Sequence, residues 1–196
     1  MQRIMDITGV ILAGGRSRRF GSDKALAMLD GKVLIEHAKD ILTEIFSHCM
    51  LVTNTPEQYA FLNMPMVKDS FPGMGPLAGI HAALRNSANP LIFVLGCDMP
   101  RVPSSLVTHL CNLAREEKFQ AVVPWLKSGP EPLCGLYSKT ALAAIEAQLQ
   151  NGKPQARALL GKIRVRKVHA EEILEVTGDL NVFYNVNCLQ DLKRLS

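Results

Sequence analysis

The sequence predicts one α/β domain of three layers, in which a mostly parallel sheet is covered by helices on both faces. Short apolar runs alternate with longer segments of helical periodicity, which is typical of strands joined by helices. Strands that are apolar along their whole length indicate a sheet buried on both sides. The 196 residues, of which 47% are hydrophobic, suffice for one well-packed domain.

The strands are predicted from short apolar runs that end in glycine or polar residues. In chain order they are Val10–Ala13, Met50–Thr53, Pro65–Val67, Leu91–Leu95, Ala121–Val123, Leu133–Tyr137 and Ile163–Val168. The pattern is clearest up to Tyr137 and looser after it. Leu91–Gly96, which carries no charge, is predicted to be a central strand.

The helices are predicted from apolar residues that recur at helical spacing. The segments are Leu34–Ile45, Leu77–Leu84, Leu106–Ala114, Lys139–Gln150 and a closing helix, Cys188–Leu195. A further helix is predicted after Thr55-Pro56-Glu57-Gln58, which matches a capping box with proline at the first helical position. Ser128–Pro132 is the best internal boundary, so residues 1–196 are predicted to form one domain with two halves, 1–127 and 128–196.

Composition excludes several classes of protein. The net charge of +4 is too mild for a nucleic-acid partner, and the basic residues are not interleaved with aromatic ones. No apolar run approaches the length of a membrane span, and no signal peptide is recognisable. The five cysteines lack C-x-x-C spacing and the histidines lack metal spacing, so we expect buried, reduced thiols in a cytoplasmic protein.

A glycine-rich basic loop follows the first predicted strand. Gly14 and Gly15 allow the backbone to turn sharply and to approach a ligand closely. Four cations follow within the loop and are offset only by Asp23; they are Arg16, Arg18, Arg19 and Lys24. A nucleoside triphosphate fits such a loop, although the spacing is not that of a P-loop. The alternative is a solvated basic turn after a core strand.

Polar residues also follow the next three predicted strands. Asn54 follows the second strand, Asp69 the third and Asp98 the fourth. Ligands of open parallel sheets bind beyond the carboxyl ends of the strands, so these residues and the glycine loop are expected at one edge.

Asp98 is the most informative single residue of this group. A lone carboxylate at the tip of an apolar strand is costly unless a cation compensates it. Mg²⁺ bound by one or two carboxylates and by substrate phosphates fits that position. The alternative is that Asp98 caps the helix that begins near Pro103.

Three further segments are candidates for binding. Gly75, Pro76 and Leu77 lie where a loop enters a helix, whose free N–H groups can hold an anion or a base edge; an ordinary glycine turn is equally consistent. Glu131 beside Pro132, and the pair Asn185 and Asn187, could face a polar heterocycle or lie in solvated turns. A basic cluster, Lys162, Arg164, Arg166 and Lys167, is either a solvated strand face or a contact to an anionic second substrate.

With these motifs assembled, the chain resembles the molybdenum cofactor guanylyltransferases, which are small nucleotidyltransferases of Rossmann-like fold. The matching pieces are LAGGRSRRFGSDKAL, GPLAGI, CDMP, EPLCGLY and NVN, in the family order. The resemblance implies GTP and molybdopterin as substrates and Mg²⁺ as the metal. It implies that the nucleotide is contacted by Leu12, Ala13, Gly14, Lys24, Asn54, Asp69 and Asp98, with Asp98 also on the metal.

The complete candidate site adds four residues to this nucleotide set and a second set for molybdopterin. The added nucleotide residues are Gly15, Gly75, Pro76 and Leu77, and the molybdopterin side is Asn185 and Asn187. Lys24, Arg19 and Asp98 are the predicted catalytic residues. One departure from the family is that Cys188-Leu189-Gln190-Asp191 follows NVN, where Thr-Pro-Glu-Asp is usual, and this removes a good N-cap.

The resemblance implies a reaction that depends on positioning and on charge neutralisation. The phosphate of molybdopterin attacks the α-phosphorus of GTP and pyrophosphate leaves, so no serine or cysteine nucleophile is needed. The alternatives are a cytidylyl- or sugar-phosphate nucleotidyltransferase and a nucleotide-binding module without turnover. A monomer is expected, with other cofactor-biosynthesis proteins or acceptor-enzyme chaperones as further partners and neither nucleic acid nor membrane among them.

Overall fold

The computed structural model describes residues 3–14, 23–116 and 119–195. Its strands are β1 (Ile4–Leu12), β2 (Met28–Leu29), β3 (Lys32–Val33), β4 (Phe46–Val52), β5 (Met66–Val67), β6 (Leu91–Gly96), β7 (Ala121–Leu126), β8 (Gly129–Pro130), β9 (Cys134–Ser138) and β10 (Val165–His169). Its α-helices are α1 (Leu34–Ile45), α2 (Gly75–Asn86), α3 (Ser104–Glu116), α4 (Leu142–Gln150), α5 (Ala156–Leu159), α6 (Ala170–Thr177) and α7 (Leu189–Leu195). Short 3₁₀ helices lie at Lys24–Leu26, Pro56–Leu62, Lys139–Ala141 and Asn181–Phe183.

The main sheet has the strand order β10-β7-β9-β6-β1-β4-β5, with β8 attached to β7. β1 runs parallel to β4 and β6, β4 runs parallel to β5, and β7 runs parallel to β10. β9 is antiparallel to both of its neighbours, β6 and β7. The prediction of a mostly parallel sheet is confirmed. β9 departs from it because its connection from β7 is too short for the crossover that a parallel neighbour needs.

Helices cover both faces of this sheet, so the predicted three-layer architecture is also confirmed. On one face α1, α3 and α6 bury Ile7, Ile11 and Phe93. On the other, α2, α4 and α5 bury Val10 and Val94. Successive strand residues thus enter opposite cores, which explains why the strands are apolar along their whole length.

Helix α1 has the predicted bounds, but the segment after Thr55 does not form the predicted capping box. Thr55 makes no side-chain cap, and its hydroxyl instead lies 3.3 Å from Gln58 Oε1. The segment Pro56–Leu62 is a 3₁₀ helix, whose tighter turn changes the positions of the N–H groups that an α-helical cap would bind. The sequence analysis did not identify the β2–β3 hairpin or helices α5 and α6.

The predicted boundary at Ser128–Pro132 lies within the main sheet. β8 pairs with β7 there, and β9, which follows the boundary, lies between β6 and β7, which precede it. Both halves therefore contribute strands to one sheet. The assignment of different ligands to the two halves stays a prediction.

All five cysteines are free thiols, and burial differs among them. Cys97, Cys111 and Cys134 are buried as expected, whereas Cys49 and Cys188 are partly exposed, so the expectation that all are buried was wrong. Burial raises the pKa of the Cys97 thiol to about 12, which keeps it protonated and unreactive beside Asp98. No helix within the described ranges combines the length and apolar character that crossing a membrane requires.

Candidate active site

The carboxyl ends of β1, β4, β5 and β6 meet at one edge of the sheet, as predicted. The parallel register places Leu12 beside Val52 and Gly96, and Val52 beside Val67. The polar residues that follow these strands are consequently neighbours across the edge. This edge is the candidate active site.

Lys24 and Asp98 form an ion pair at the centre of this edge. Lys24 Nζ donates to Asp98 Oδ2 over 2.5 Å, and the two side chains are 24% and 14% exposed. The charge expected to compensate the carboxylate at the strand tip is therefore present within the protein itself. The structure thus brings together two of the three predicted catalytic residues. The third, Arg19, lies outside the described residues, as does Gly15 of the glycine loop.

Gly96, the last residue of β6, is the residue that lets the Asp98 carboxylate approach the strand. A Cβ atom at Gly96 would lie 2.6 Å from Asp98 Oδ1, closer than two such atoms can approach. Among the described residues, Lys24 is the hydrogen-bond partner of this carboxylate, and α3 begins only at Ser104. The alternative in which Asp98 caps α3 is therefore wrong.

Asp23 and Tyr59 fix the backbone of the short helix that begins with Lys24. Asp23 accepts a hydrogen bond from the Ala25 N–H at 3.1 Å and so caps the short helix that contains Lys24. Its other oxygen accepts a short hydrogen bond from the buried Tyr59 hydroxyl, and burial raises the pKa of Tyr59. The sequence analysis treated Asp23 only as an offset charge and missed Tyr59, whose partner lies 36 residues away.

Asn54 and Asp69 form a reciprocal pair at the ends of β4 and β5. Asn54 Nδ2 donates to Asp69 Oδ2 at 2.7 Å, and the Asp69 N–H donates to Asn54 Oδ1 at 3.2 Å. The second Asp69 oxygen accepts from the Phe71 N–H at 3.1 Å and shapes the loop toward α2. The structure therefore places these two predicted residues together, and their contact to a nucleotide stays a prediction.

The start of α2 lies at the same edge. Gly75 begins the helix at a φ of +63°, which glycine adopts without strain, and Pro76 follows in the first turn. No side chain caps this end in the described structure, which leaves its N–H groups available to a ligand. The Leu77 side chain is fully buried, so Leu77 can contribute only its backbone.

The first strand ends in residues that differ in what they can offer a ligand. A Cβ at Gly79 would lie 3.1 Å from Leu12 Cδ2, so Gly79 lets α2 pack closely on Leu12. Ala13 is buried and its N–H bonds the Val52 carbonyl at 3.1 Å. Gly14 is exposed at a φ of +151°, and no atom of the described residues lies within 4 Å of where its side chain would stand.

The segment Asn185–Asn187 docks on the Asp98 loop. The Val186 N–H donates to the Asp98 carbonyl at 2.9 Å, and the Val186 side chain is buried. Asn185 is half-buried and Asn187 exposed on either side of it. Both predicted asparagines therefore lie beside Asp98, and their contact to molybdopterin stays a prediction.

Asp191 binds the backbone that leads from this segment into α7. Its carboxylate accepts hydrogen bonds from the N–H groups of Asn187 at 2.8 Å and Cys188 at 2.9 Å. These bonds are the reciprocal half of a capping box, in which a carboxylate of the first turn binds the N–H groups that precede the helix. The loss of the N-cap side chain at position 188 stays a prediction.

Glu131 approaches the candidate site from the opposite side of Asp98. Its side chain is 13% exposed, and Arg157 Nη2 lies 3.8 Å from its Oε1. Burial raises the pKa of Glu131, Arg157 opposes that change, and the Asp98 charge adds to it.

A Cβ at Gly75 would lie 4.0 Å from the Pro154 carbonyl, so the segment before α5 also borders the start of α2.

The basic cluster around β10 has structural partners. Arg166 pairs with Glu172 at 2.9 Å, and Lys167 Nζ lies 4.2 Å from the centre of the Trp125 ring. These contacts favour the surface role over contact with a second substrate.

Among the described residues, no group of three or more His, Cys, Asp or Glu side chains could hold a metal. Asp98 offers a carboxylate beside Lys24, at the end of the predicted triphosphate loop. One carboxylate fits a magnesium ion whose other ligands are phosphates and waters, because Mg²⁺ is commonly held that way.

Comparison with known proteins decides the family. Residues 9–171 match the family described as the MobA-like NTP transferase domain. The chain belongs to this family. It is 36% identical over 189 residues to a molybdenum cofactor guanylyltransferase of Desulfosudis oleivorans, covering 96% of this chain and 93% of that protein. It is also 36% identical over 192 residues to a probable molybdenum cofactor guanylyltransferase of Carboxydothermus hydrogenoformans. That match covers 98% of this chain and 96% of that protein.

The fold agrees with this membership. The crystal structure of molybdopterin-guanine dinucleotide biosynthesis protein A from Archaeoglobus fulgidus superimposes with a TM-score of 0.85, at 29% identity and 96% coverage of both chains. The MobA-like NTP transferase domain identifies the protein as a nucleotidyltransferase enzyme. The alternative of a nucleotide-binding module without turnover is therefore set aside.

Proposed function

We propose that this protein transfers GMP from GTP to the terminal phosphate of molybdopterin, releasing pyrophosphate and forming the guanine dinucleotide cofactor. Two relatives at 36% identity carry the name molybdenum cofactor guanylyltransferase, or its probable form, and match nearly the whole chain. The observation that carries the proposal is the Lys24–Asp98 pair at the ends of β1 and β6, where the Asp98 carbonyl also binds the Asn185–Asn187 segment. In the proposed complex, this cation and this carboxylate would lie between the nucleotide and the acceptor.

In the proposed reaction an oxygen of the molybdopterin phosphate attacks the α-phosphorus of GTP. The new P–O bond joins the two phosphates while the bond to the β-phosphate oxygen breaks, and pyrophosphate takes the electron pair. The attacking phosphate is already ionised, so no general base is required. Lys24, together with Arg19 of the glycine loop, neutralises the charge that accumulates on the leaving pyrophosphate.

Asp98 is the residue that would hold magnesium in this enzyme. When bound, the ion would neutralise phosphate charge and orient the α-phosphate. Asp98 would contribute an oxygen ligand to the ion. In the structure, one of its two carboxylate oxygens accepts a hydrogen bond from Lys24. Lys24 is therefore expected to move from Asp98 toward the phosphates once the nucleotide is bound.

The proposed nucleotide is GTP rather than CTP or ATP. This preference is supported by the start of α2, where backbone groups of Gly75 and Leu77 can form hydrogen bonds with the polar edge of a base. Sites that pair the edge of one base reject others, because buried polar groups are then left without partners. Pyrophosphate release should require GTP, Mg²⁺ and molybdopterin together. CTP competing more strongly than GTP would place the protein among cytidylyltransferases.

Asp98→Asn tests the metal role directly. The amide keeps the size of the side chain but lacks the charge that a hard cation requires, so Mg²⁺-dependent transfer should fall by at least about 10²-fold. Thermal unfolding should show an intact fold. Near-normal transfer with unchanged Mg²⁺ dependence would remove Asp98 from the mechanism and leave Asp69 as the acidic candidate.

A cytoplasmic location and a monomeric state belong to the same proposal. Five free cysteines are typical of a reducing compartment. Sizing chromatography with light scattering would test the monomer. Pull-down experiments would test the expected contacts with other cofactor-biosynthesis proteins or acceptor-enzyme chaperones.

A further inference from the structure

The backbone on either side of Glu131 is fixed at the end of β6, next to Asp98. The Glu131 N–H donates to the Pro124 carbonyl at 3.0 Å, and its carbonyl accepts from the Cys134 N–H at 3.1 Å. Two residues later, the Leu133 carbonyl accepts from the Gly96 N–H at 2.8 Å. These bonds hold the Glu131 side chain in a defined place beside the strand that ends in Asp98.

The Glu131 carboxylate has unused capacity to accept hydrogen bonds. It is 13% exposed, and the 3.8 Å separation from Arg157 is longer than a hydrogen bond. Within residues 3–14, 23–116 and 119–195, no group donates a hydrogen bond to it. A mostly buried carboxylate without donors is costly, and a ligand with N–H donors would remove that cost.

The position of Glu131 in the sheet separates it from the glycine loop, Asn54 and Asp69, three of the predicted nucleotide contacts. The glycine loop, Asn54 and Asp69 follow β1, β4 and β5, which lie on one side of β6. Glu131 lies in the chain between β8 and β9, and β9 and β7 lie on the other side of β6. The ligand that reaches Glu131 should therefore be the acceptor.

The pterin ring of the proposed acceptor carries an amino group next to a ring N–H, and these two donors match the two oxygens of one carboxylate. Resting on the function proposed above, we propose that Glu131 determines acceptor specificity by accepting hydrogen bonds from this amino and N–H edge of the pterin. Guanine carries the same pair of donors. The location of Glu131 assigns it to the pterin rather than to the base of GTP.

The experiment uses two fluorescent probes, neopterin monophosphate and its lumazine counterpart, in which an oxygen replaces the amino group. The wild-type protein should bind the pterin at least about 10-fold more tightly than the lumazine, because the carboxylate repels the added oxygen. In Glu131→Gln the preference should disappear, because an amide offers both a donor and an acceptor. The affinity for GTP should stay within about twofold of that of the wild type, and the KM for molybdopterin should rise more than kcat falls.

Glu172→Gln is the matched control. Glu172 is also a partly buried carboxylate, 26% exposed, but its partners are Arg166 and His109 on the outer side of the sheet. This variant should keep the pterin preference. Glu131→Asp, which retains the charge on a shorter side chain, should keep part of the preference and serves as a second test if Glu131→Gln does not fold.

Three outcomes would overturn the proposal. The first is that the wild-type protein binds neither probe, or binds both equally. The second is that the Glu131→Gln variant keeps the preference for the pterin. The third is that Glu131→Gln loses as much affinity for GTP as it loses for the pterin. The last result would assign Glu131 to guanine. The probe measurement is separate from the guanylyl-transfer assay. If wild-type protein discriminates between the probes but transfers no GMP, the proposed function fails and the role of Glu131 stands.

Discussion

Asp98 is held by two hydrogen bonds from distant parts of the chain and by the space that the nearby Gly96 leaves. Its carboxylate bonds Lys24, which follows β1, and its carbonyl accepts from Val186 near the carboxyl terminus. Gly96 leaves the space into which the carboxylate folds back. At the scale of the residue, catalytic geometry therefore depends on side chains other than Asp98 itself.

Lys24→Ala should lower kcat by about 10²–10³-fold, because one preorganised charge is lost where negative charge accumulates. It should also lower the free energy of unfolding by on the order of 1 kcal/mol, because the mostly buried Asp98 loses its cation. The double variant Lys24→Ala/Asp98→Asn should recover stability but not rate.

Lys32→Ala provides the control for Lys24→Ala. Lys32 also contacts an aspartate, Asp40, at 2.5 Å, but that pair is more than half exposed. Chemical denaturation measures the change in the free energy of unfolding, and steady-state kinetics measures the change in kcat. If Lys24→Ala and Lys32→Ala behaved alike in both measurements, Lys24 would be only a surface charge.

Gly96→Ala should reduce transfer by about 10²-fold, because the new methyl group displaces the Asp98 carboxylate and misplaced catalytic groups cost rates of that size. The fold should persist, since the next contact of the methyl group, with Leu133 Cβ, is an ordinary 3.5 Å. Gly161→Ala is the control, because its methyl group would lie 3.8 Å from its nearest neighbour, the Ala158 carbonyl. Unchanged kinetics in Gly96→Ala would show that the position of the carboxylate does not limit catalysis.

At the scale of the element, helix α7 closes the chain against the active-site edge. Its cap, Asp191, binds the N–H groups of Asn187 and Cys188 and accepts a third hydrogen bond from the Tyr184 hydroxyl at 2.9 Å. The same residues flank Val186, which bonds the Asp98 loop. Capping of this helix therefore also fixes the Asn185–Asn187 segment.

The pH dependence of stability should report this cap. The Asn187 N–H, followed by the Tyr184 hydroxyl, lowers the pKa of Asp191 from the ordinary 3.8 to about 2. A lowered pKa in the folded state means that the stabilisation is present above pH 3.8 and is lost as the pH falls through about 2. Asp191→Asn should be less stable than wild type at pH 6, and the difference should shrink between pH 4 and pH 2. Urea midpoints measured at several pH values would check this, and a constant difference would contradict the role of the carboxylate.

At the scale of the whole molecule, the two halves of the sequence form one sheet. β9 lies between β6 and β7, so residues after the boundary complete a sheet that residues before it begin. Without β9, the backbone of Ile92, Phe93 and Val94 would lose its hydrogen-bond partners on one side. The halves are therefore interdependent for folding, whichever ligand each one binds.

The full chain should unfold in one cooperative transition, and the fragment 1–127 should not fold by itself. The fragment would expose the apolar core and an unpaired strand edge at β6, which favours aggregation. Differential scanning calorimetry of the full chain and near-UV circular dichroism of the fragment would check both expectations. A sharp unfolding transition in the fragment would show that residues 1–127 form an independent domain.

The sequence by itself determined the fold class and the edge at which the polar residues collect. Apolar runs alternating with helical periodicity are local patterns, and they suffice to predict buried parallel strands with helices on both faces. Polar residues that directly follow such strands must meet at one edge, which is why Asn54, Asp69 and Asp98 were identified before the structure. Family membership agrees with the motifs on which the resemblance rested.

Only the tertiary structure decided which of these residues touch. Lys24 and Asp98 are 74 residues apart, Tyr59 and Asp23 are 36 apart, and no local pattern encodes either pair. The antiparallel insertion of β9 followed from the length of one connection, and it brought Glu131 to the side of Asp98 that we propose for the acceptor. Periodicity reports which face of an element is buried, whereas contacts between elements depend on strand order, and strand order is set by the packing of the whole chain.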